Sequence, residues 1–376
     1  MDRRSFLRLG AAAPVCLGAS GAAVLARAQT QSEDALLATQ GWRVYEVTTE
    51  LSLPPAAAPA SAWLPMTAAR LGDYQRTLSS RWEAADAQAR TALAPGYDTR
   101  MLALSWPGPA AAQSAELKAK LVEMVALRDR KTDLGLAPSA QAPREPAATL
   151  REYLAPTRLL PTGGIVKTTA QQITAGASDD MSKARALYEW VIDHTCREAS
   201  VRGCGVGDVA RMLRTGGVMN GKCVDINGLF VALARASGIP ARDAFGVRVD
   251  TSLYGFKALG KSGDISKAQH CRAEFYAAGY GWIPVDPADV RKVALEEAPG
   301  GLPMSDWKVR SARAMLFGAW EMNWVAYNHG HDVALPGSAS PPVPFLMYPN
   351  GETVAGTLDS VDPAAFGYRI TSRRMA

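Results

Sequence analysis

One stretch constrains this chain more than any other. From Cys223 to about Ala236 apolar residues recur at helical spacing, with Ile226, Leu229, Phe230, Leu233 and Ala234 on one face. Gly238 closes the pattern and Pro240 forbids its continuation. The spacing predicts the most apolar helix in the chain, beginning at a cysteine directly after a loop that holds Gly216, Gly217 and Gly221. Upstream, Asp179 or Asp180 can cap a helix that runs to about His194, and residues 209–213 can form a shorter one. Downstream, residues 245–249, 273–276 and 282–285 read as strands. A central helix followed by several strands implies an α+β fold rather than a doubly wound sheet.

The chain has 376 residues, which suits two domains. Residues 29–130 are expected to form a β-rich N-terminal domain, with strand candidates around Trp42–Leu53, Trp63–Pro65 and Met101–Trp106. Within it, Leu117, Leu121, Val125 and Leu127 mark a helical patch from Ala115 to Arg130. Residues 131–150, rich in Ala and Pro, read as a linker. Residues 151–300 hold the core, and 301–376 form a C-terminal extension packing on it. In that extension Trp320 and Trp324 are four apart, so they can share a helix face, and the aromatic segment around them either packs against the core or lines the cleft near Cys223.

The N-terminus reads as a targeting segment, residues 1–28. Arg3-Arg4-Ser5-Phe6-Leu7 opens it in the manner of a twin-arginine signal, a weakly apolar stretch follows, and Ala26-Arg27-Ala28 is a small-x-small exit. Cleavage near Ala28 implies a periplasmic or secreted protein, with membrane contact only during export. The segment carries a charge of +3, so its loss takes the net +5 to +2. With that mild balance and no Lys/Arg run longer than two, nucleic acid is not the expected partner.

The chemistry gathers around Cys223. A helix N-terminus offers free N–H groups and a positive dipole end, both of which stabilise a thiolate. A nucleophilic cysteine then needs a base and an orienter. His270 lies at the start of one predicted strand and Asp286 at the end of the next. Antiparallel pairing through a turn at 277–281 would bring them together. Asp225 and Asp289 are reserve acids, and Arg235 and Arg242 suit structural ion pairs. Gly216-x-x-x-x-Gly221-Lys222 matches the start of a P-loop, but no strand precedes it and Cys223 stands where a magnesium-binding hydroxyl belongs. The cysteines show no C-x-x-C spacing, so no metal or other cofactor is expected. Cys196 and Cys204 are either a disulfide across a short loop or two buried thiols, and Cys271 reads as core.

At these residues the sequence resembles the transglutaminase-like superfamily. The resemblance rests on Gly221-Lys222-Cys223-Val224-Asp225, on Arg235-Ala236-Ser237-Gly238-Ile239-Pro240-Ala241-Arg242, on His270, and on Gly281-Trp282-Ile283-Pro284-Val285-Asp286-Pro287. It implies a papain-like α+β core preceded by a β-rich domain. It also implies a triad of Cys223 nucleophile, His270 base and Asp286 orienter acting on amide bonds of a peptide or protein substrate. Val224 replaces the aromatic that follows the nucleophile in transglutaminases proper, and Arg272 replaces a Trp carried by many relatives. The alternative for such a chain is an inactive module of the same fold that binds peptide or cell-wall ligands.

Overall fold

Lys118 and Lys120 are exposed while Leu117, Ala119 and Leu121 between and beyond them are buried. This two-residue alternation makes Leu117–Leu127 a strand, not the helix that the spacing of its leucines suggested. The second half of the stretch is almost continuously apolar because both faces are covered: Leu121, Val125 and Leu127 enter one apolar cluster, while Met124 and Ala126 pack with Trp42 and Val44 in another. The computed structural model describes residues 41–95, 97–108, 116–142 and 144–375. The predicted signal segment, with its twin-arginine motif, lies outside the described residues.

Leu117–Leu127 pairs antiparallel with Arg43–Leu53 and with Gln75–Ala84. They belong to a six-stranded sheet ordered Gly263–Asp264, Tyr368–Arg374, Arg43–Leu53, Leu117–Leu127, Gln75–Ala84, Arg70–Leu71. A five-stranded sheet runs Gly356–Thr357, Asn350–Thr353, Ala60–Pro65, Arg100–Trp106, Gln88–Leu93. Both contribute to one apolar core that includes Tyr45, Leu51, Leu64, Leu104 and Leu121. The N-terminal β-rich region is thus completed from the far end of the chain: Tyr368–Arg374 pairs with Arg43–Leu53, and Asn350–Thr353 with Ala60–Pro65. Residues 301–376 therefore do not form a single extension on the core. Trp307–Met315 packs there against the helix Pro287–Glu296, whereas the last strands cover sheet edges whose backbone groups would otherwise lack partners.

Trp320 and Trp324 do not share a helix either. They lie on strands Ala319–Trp320 and Trp324–Asn328, fully buried. Each indole N–H needs an acceptor there, and strand carbonyls supply them: Trp320 donates to Val285 at 3.1 Å and Trp324 to His270 at 2.8 Å.

The core holds a four-stranded antiparallel sheet ordered Gly281–Val285, Gln269–Ala277, Ala241–Arg248, Trp324–Asn328. The helix Cys223–Ala236 lies on the middle two strands and is covered by Gly164–Thr174, Asp180–His194 and Pro287–Glu296. It is buried from Cys223 to Arg235, which is why its sequence is apolar nearly all round. Gly238 takes φ +82° directly after its C-cap, a conformation that favours glycine. Asp179 caps the Asp180–His194 helix, accepting from the Ser182 N–H at 2.9 Å. Among the described residues no helix is long and apolar enough to cross a membrane.

Candidate active site

Cys223 is the first residue of its helix, and Asp225 fixes the loop beside it. One Asp225 oxygen accepts from Val206 and Gly207 N–H at 3.0 and 2.8 Å, and the other accepts from Lys222 N–H at 2.9 Å. The glycines of this region serve that close approach. A Cβ at Gly205 would stand 1.8 Å from the Asp225 carboxylate, and one at Gly221 would stand 2.6 Å from its Cβ. Asp225 is thus a loop anchor, and the glycines make room for it rather than cradling a phosphate. The helix Val209–Arg214, not a strand, precedes residues 216–222. Replacing Asp225 by Ala strands three N–H groups that now donate to a carboxylate. The expected cost is about 3 kcal/mol of folding free energy, read from urea midpoints at unchanged slope.

His270 sits on Gln269–Ala277, a strand buried along its whole length. Asp286 follows the next strand and is the N-cap of Pro287–Glu296, with Pro287 at the first helical position. Pairing of Ala273 with Val285 and Ala277 with Gly281 sets the register, and the two residues meet: His270 Nε2 lies 2.7 Å from Asp286 Oδ2. Asp289, three residues on, presents Oδ1 3.3 Å from the same nitrogen. Both carboxylates therefore sit at one helix N-terminus, where the dipole favours them. The Asp289 N–H donates to Asp286 Oδ1 at 3.0 Å.

Three further side chains complete this cluster. Asn227, fully buried, donates to Asp286 Oδ1 at 3.1 Å and to the Cys271 carbonyl at 2.9 Å, and its own oxygen accepts from the Ala288 N–H. Arg248 Nη2 holds Asp289 Oδ1 at 2.5 Å. Arg272 places Nε 3.6 Å from Asp286 Oδ2 and its guanidinium 4.9 Å from the Trp324 ring centre. The departure at Arg272 is thus an added counter-charge for Asp286, with aromatic faces brought in from the distant Trp320 and Trp324. The sequence reading did not single out Asn227 or Arg248. A polar Asn in the middle of an otherwise apolar helix is the signal that marks the first.

The electrostatics follow from this geometry. Burial pulls the His270 pKa down, but Asp289 and Asp286 outweigh it and lift the imidazole to about 9. Burial pushes the Cys223 thiol up, but hydrogen bonding with Cys204, Cys271 and His270, together with the imidazolium charge, holds it well below the usual thiol range. Both shifts favour the charged forms, a thiolate on Cys223 and an imidazolium on His270. Both residues line one open cavity of about 820 Å³. His270, Asp286 and Asp289 bring ligand atoms within 4.8 Å of one another. Arg248 and Arg272 face those two carboxylates, so the chain's own cations already answer the charge that a metal would otherwise meet.

The disulfide considered for Cys196 and Cys204 is not formed; both are free thiols. Their sulfurs face different partners. Cys196 meets Arg291 Nη2 at 2.7 Å, while Cys204 donates to the Gln269 carbonyl at 3.2 Å and turns toward Cys223. Cys271 is buried, as its place on the strand implies, and it also contacts Cys223.

The family model of the transglutaminase-like superfamily matches residues 167–287, a span that holds Cys223, His270 and Asp286. An uncharacterized protein of Haemophilus influenzae is 36% identical over 317 residues, covering 81% of this chain and 84% of that one. Among solved structures, a candidate cysteine protease from Cytophaga hutchinsonii aligns over 88% of this chain and 98% of its own, at 14% identity and a TM-score of 0.49. The periplasmic domain of TgpA from Pseudomonas aeruginosa aligns over 75% and 96%, at 16% identity and a TM-score of 0.34. With a relative 36% identical over 81% of the chain, a matching family model and an α+β core built around the Cys223 helix, this chain belongs to the transglutaminase-like superfamily.

Proposed function

We propose that this protein is an exported cysteine enzyme that cleaves or transfers the acyl part of amide bonds in peptides or proteins through a thioester on Cys223. The observation that carries the reading is Cys223, at the start of its helix, lining one open cavity with the Asp286-held His270. The depressed thiol favours this reading over an inactive module of the same fold. The basic start, apolar middle and small-residue exit of residues 1–28 support export.

Each group has a defined task. The thiolate sulfur attacks the amide carbon, and the Cys223 N–H, first in its helix and without an intrahelical acceptor, is placed for the developing oxyanion. Because Asp286 occupies Nε2, the other ring nitrogen of His270 is the one that serves the cleft. His270 gives its proton to the leaving nitrogen as the C–N bond breaks. It then takes a proton from the water or amine that displaces the sulfur, which leaves as thiolate. Asp286 keeps the ring oriented, and Asn227 and Arg272 keep Asp286 in place.

A mass-spectrometric screen of a peptide library should show deamidated, cleaved or cross-linked products that disappear with Cys223→Ala. A library unchanged by the wild-type protein refutes the proposal. The pH profile follows from the same pair. Because His270 titrates near 9, kcat/KM should hold across neutral pH and fall on an alkaline limb centred there. The raised histidine also stabilises the fold fully below its ordinary value of about 6.5, and that contribution is lost as pH rises through about 9. An alkaline limb near 7 would contradict the assignment of Asp289 and Asp286 as its partners.

A further inference from the structure

The cavity around Cys223 is lopsided in charge. Seven Lys and Arg side chains line it, against one carboxylate, Asp264. The available acids are already committed. Asp264 pairs with Arg369 at 3.1 Å, Asp289 holds Arg248, and Glu296 is shared between Arg197 and Lys292. Lys292 is largely buried, 3.7 Å from that shared carboxylate. Burial and the neighbouring Arg248 pull its amine down to about 8, the signature of a cation held among like charges. Lys222, Lys261 and Lys267 line the same cavity and make no ion pair among the described residues. The whole chain carries only +5 over 376 residues, so this concentration of positive charge is local to the cleft.

We infer that the cleft receives an acidic peptide, with carboxylates flanking the amide presented to Cys223 and paired with Lys222, Lys261, Lys267 and Lys292. The inference rests on the cysteine-enzyme reading for the choice of a peptide, whereas the preference for negative charge rests on the cavity lining alone. Lysines suit this role because a compact ammonium on a flexible stem pairs with a carboxylate without demanding a fixed bidentate geometry. A peptide fits better than a nucleic acid because the nucleophile at the centre of the cluster needs an acyl carbon. Lys292, desolvated and repelled by Arg248 and Arg197, gains from a bound anion, whereas a neutral or basic peptide leaves that repulsion in place.

The test is read as binding to the Cys223→Ala protein, which removes turnover from the measurement. Fluorescein-labelled peptides of sequence Glu-Glu-Gln-Glu-Glu and Gln-Gln-Gln-Gln-Gln are compared by anisotropy. The acidic peptide should bind about tenfold or more tightly at low salt, with the advantage shrinking at 0.5 M NaCl (roughly a 4 Å Debye length). Lys261→Glu and Lys267→Glu alter exposed, unpaired side chains and should remove most of that advantage while leaving the unfolding midpoint unchanged. Equal binding of the two peptides overturns the inference. So does an advantage that survives both reversals, or tighter binding of an oligonucleotide of equal charge. Alkylation of wild-type Cys223 by iodoacetamide separates the two readings. Normal alkylation without a charge preference defeats this inference alone, whereas a charge preference without alkylation upholds it and defeats the enzyme.

Discussion

Cys223→Ala should abolish acyl-enzyme formation: wild-type protein treated with an activated biotinyl-peptide ester and quenched in acid carries the label on Cys223, and the variant carries none. Turnover of any amide substrate should fall by roughly 10⁴- to 10⁶-fold, the range over which removing a nucleophile from a cooperating triad acts. The prediction is selective because of the surrounding thiols. The hydrogen bond to Cys223 and burial push Cys204 well above the usual thiol range, and burial and the same contact push Cys271 up. Both are buried and protonated, and Cys196 sits against Arg291. Among the described residues, only Cys223 combines a depressed thiol with a place on the cavity wall beside His270. Equal labelling of wild type and variant refutes the thioester mechanism. The unfolding midpoint of the variant checks that the loss is chemical.

The second large effect is on stability, at Glu274. This carboxylate is completely buried on the strand that carries His270. It pairs with Arg130 from the N-terminal region and with Arg242 Nε at 2.6 Å, and His329 Nε2 lies 3.6 Å away. The two guanidinium groups are themselves packed on aromatic faces, Arg242 on Trp282 at 3.9 Å and Arg130 on Tyr74 at 4.6 Å. Burial pushes the Glu274 pKa up, but Arg130 and Arg242 outweigh it and lower it to about 2. Glu274→Ala leaves two buried cations without their shared counter-charge, and unfolding free energy should drop by about 3–5 kcal/mol. In the wild type the contribution is present above the ordinary glutamate pKa of about 4.3 and lost as pH falls through about 2. Acid unfolding should therefore sharpen below pH 4 in the wild type and be flatter in the variant. A loss under about 1 kcal/mol would mean that the network is dispensable for joining the two regions.

Glu274 also shows why parts of this protein were legible in sequence and others were not. The helix from Cys223 and its stop at Gly238 and Pro240 are local facts: spacing, a left-handed position and a missing N–H lie within a few residues of one another. The strand carrying Glu274 was equally readable, but its partner Arg130 lies 144 residues away, beyond any local pattern. The Leu117–Leu127 stretch misled because its leucines fit a helical period, while the alternating lysines that expose one face take effect only once a sheet offers neighbours. At the candidate site, the order Cys223, His270, Asp286 and the turn between the two strands were sufficient to foresee the His270–Asp286 contact. Asn227 and Arg248 were not singled out, because each gains meaning only from residues on other elements: Asp286 and Ala288 for the first, Asp289 for the second.

By itself, then, the sequence determined the superfamily, the α+β core and the chemical identity of the residues around Cys223. These rest on periodicity, capping and motif, which are properties of neighbours along the chain. The tertiary structure decided the rest: free thiols in place of a disulfide, a C-terminal strand closing the first sheet, and a cleft in which cations from several separate segments face a single acid. Sulfur-to-sulfur distance, edge pairing and local charge density are set by which distant segments fold together, and composition averaged over the chain conceals all three.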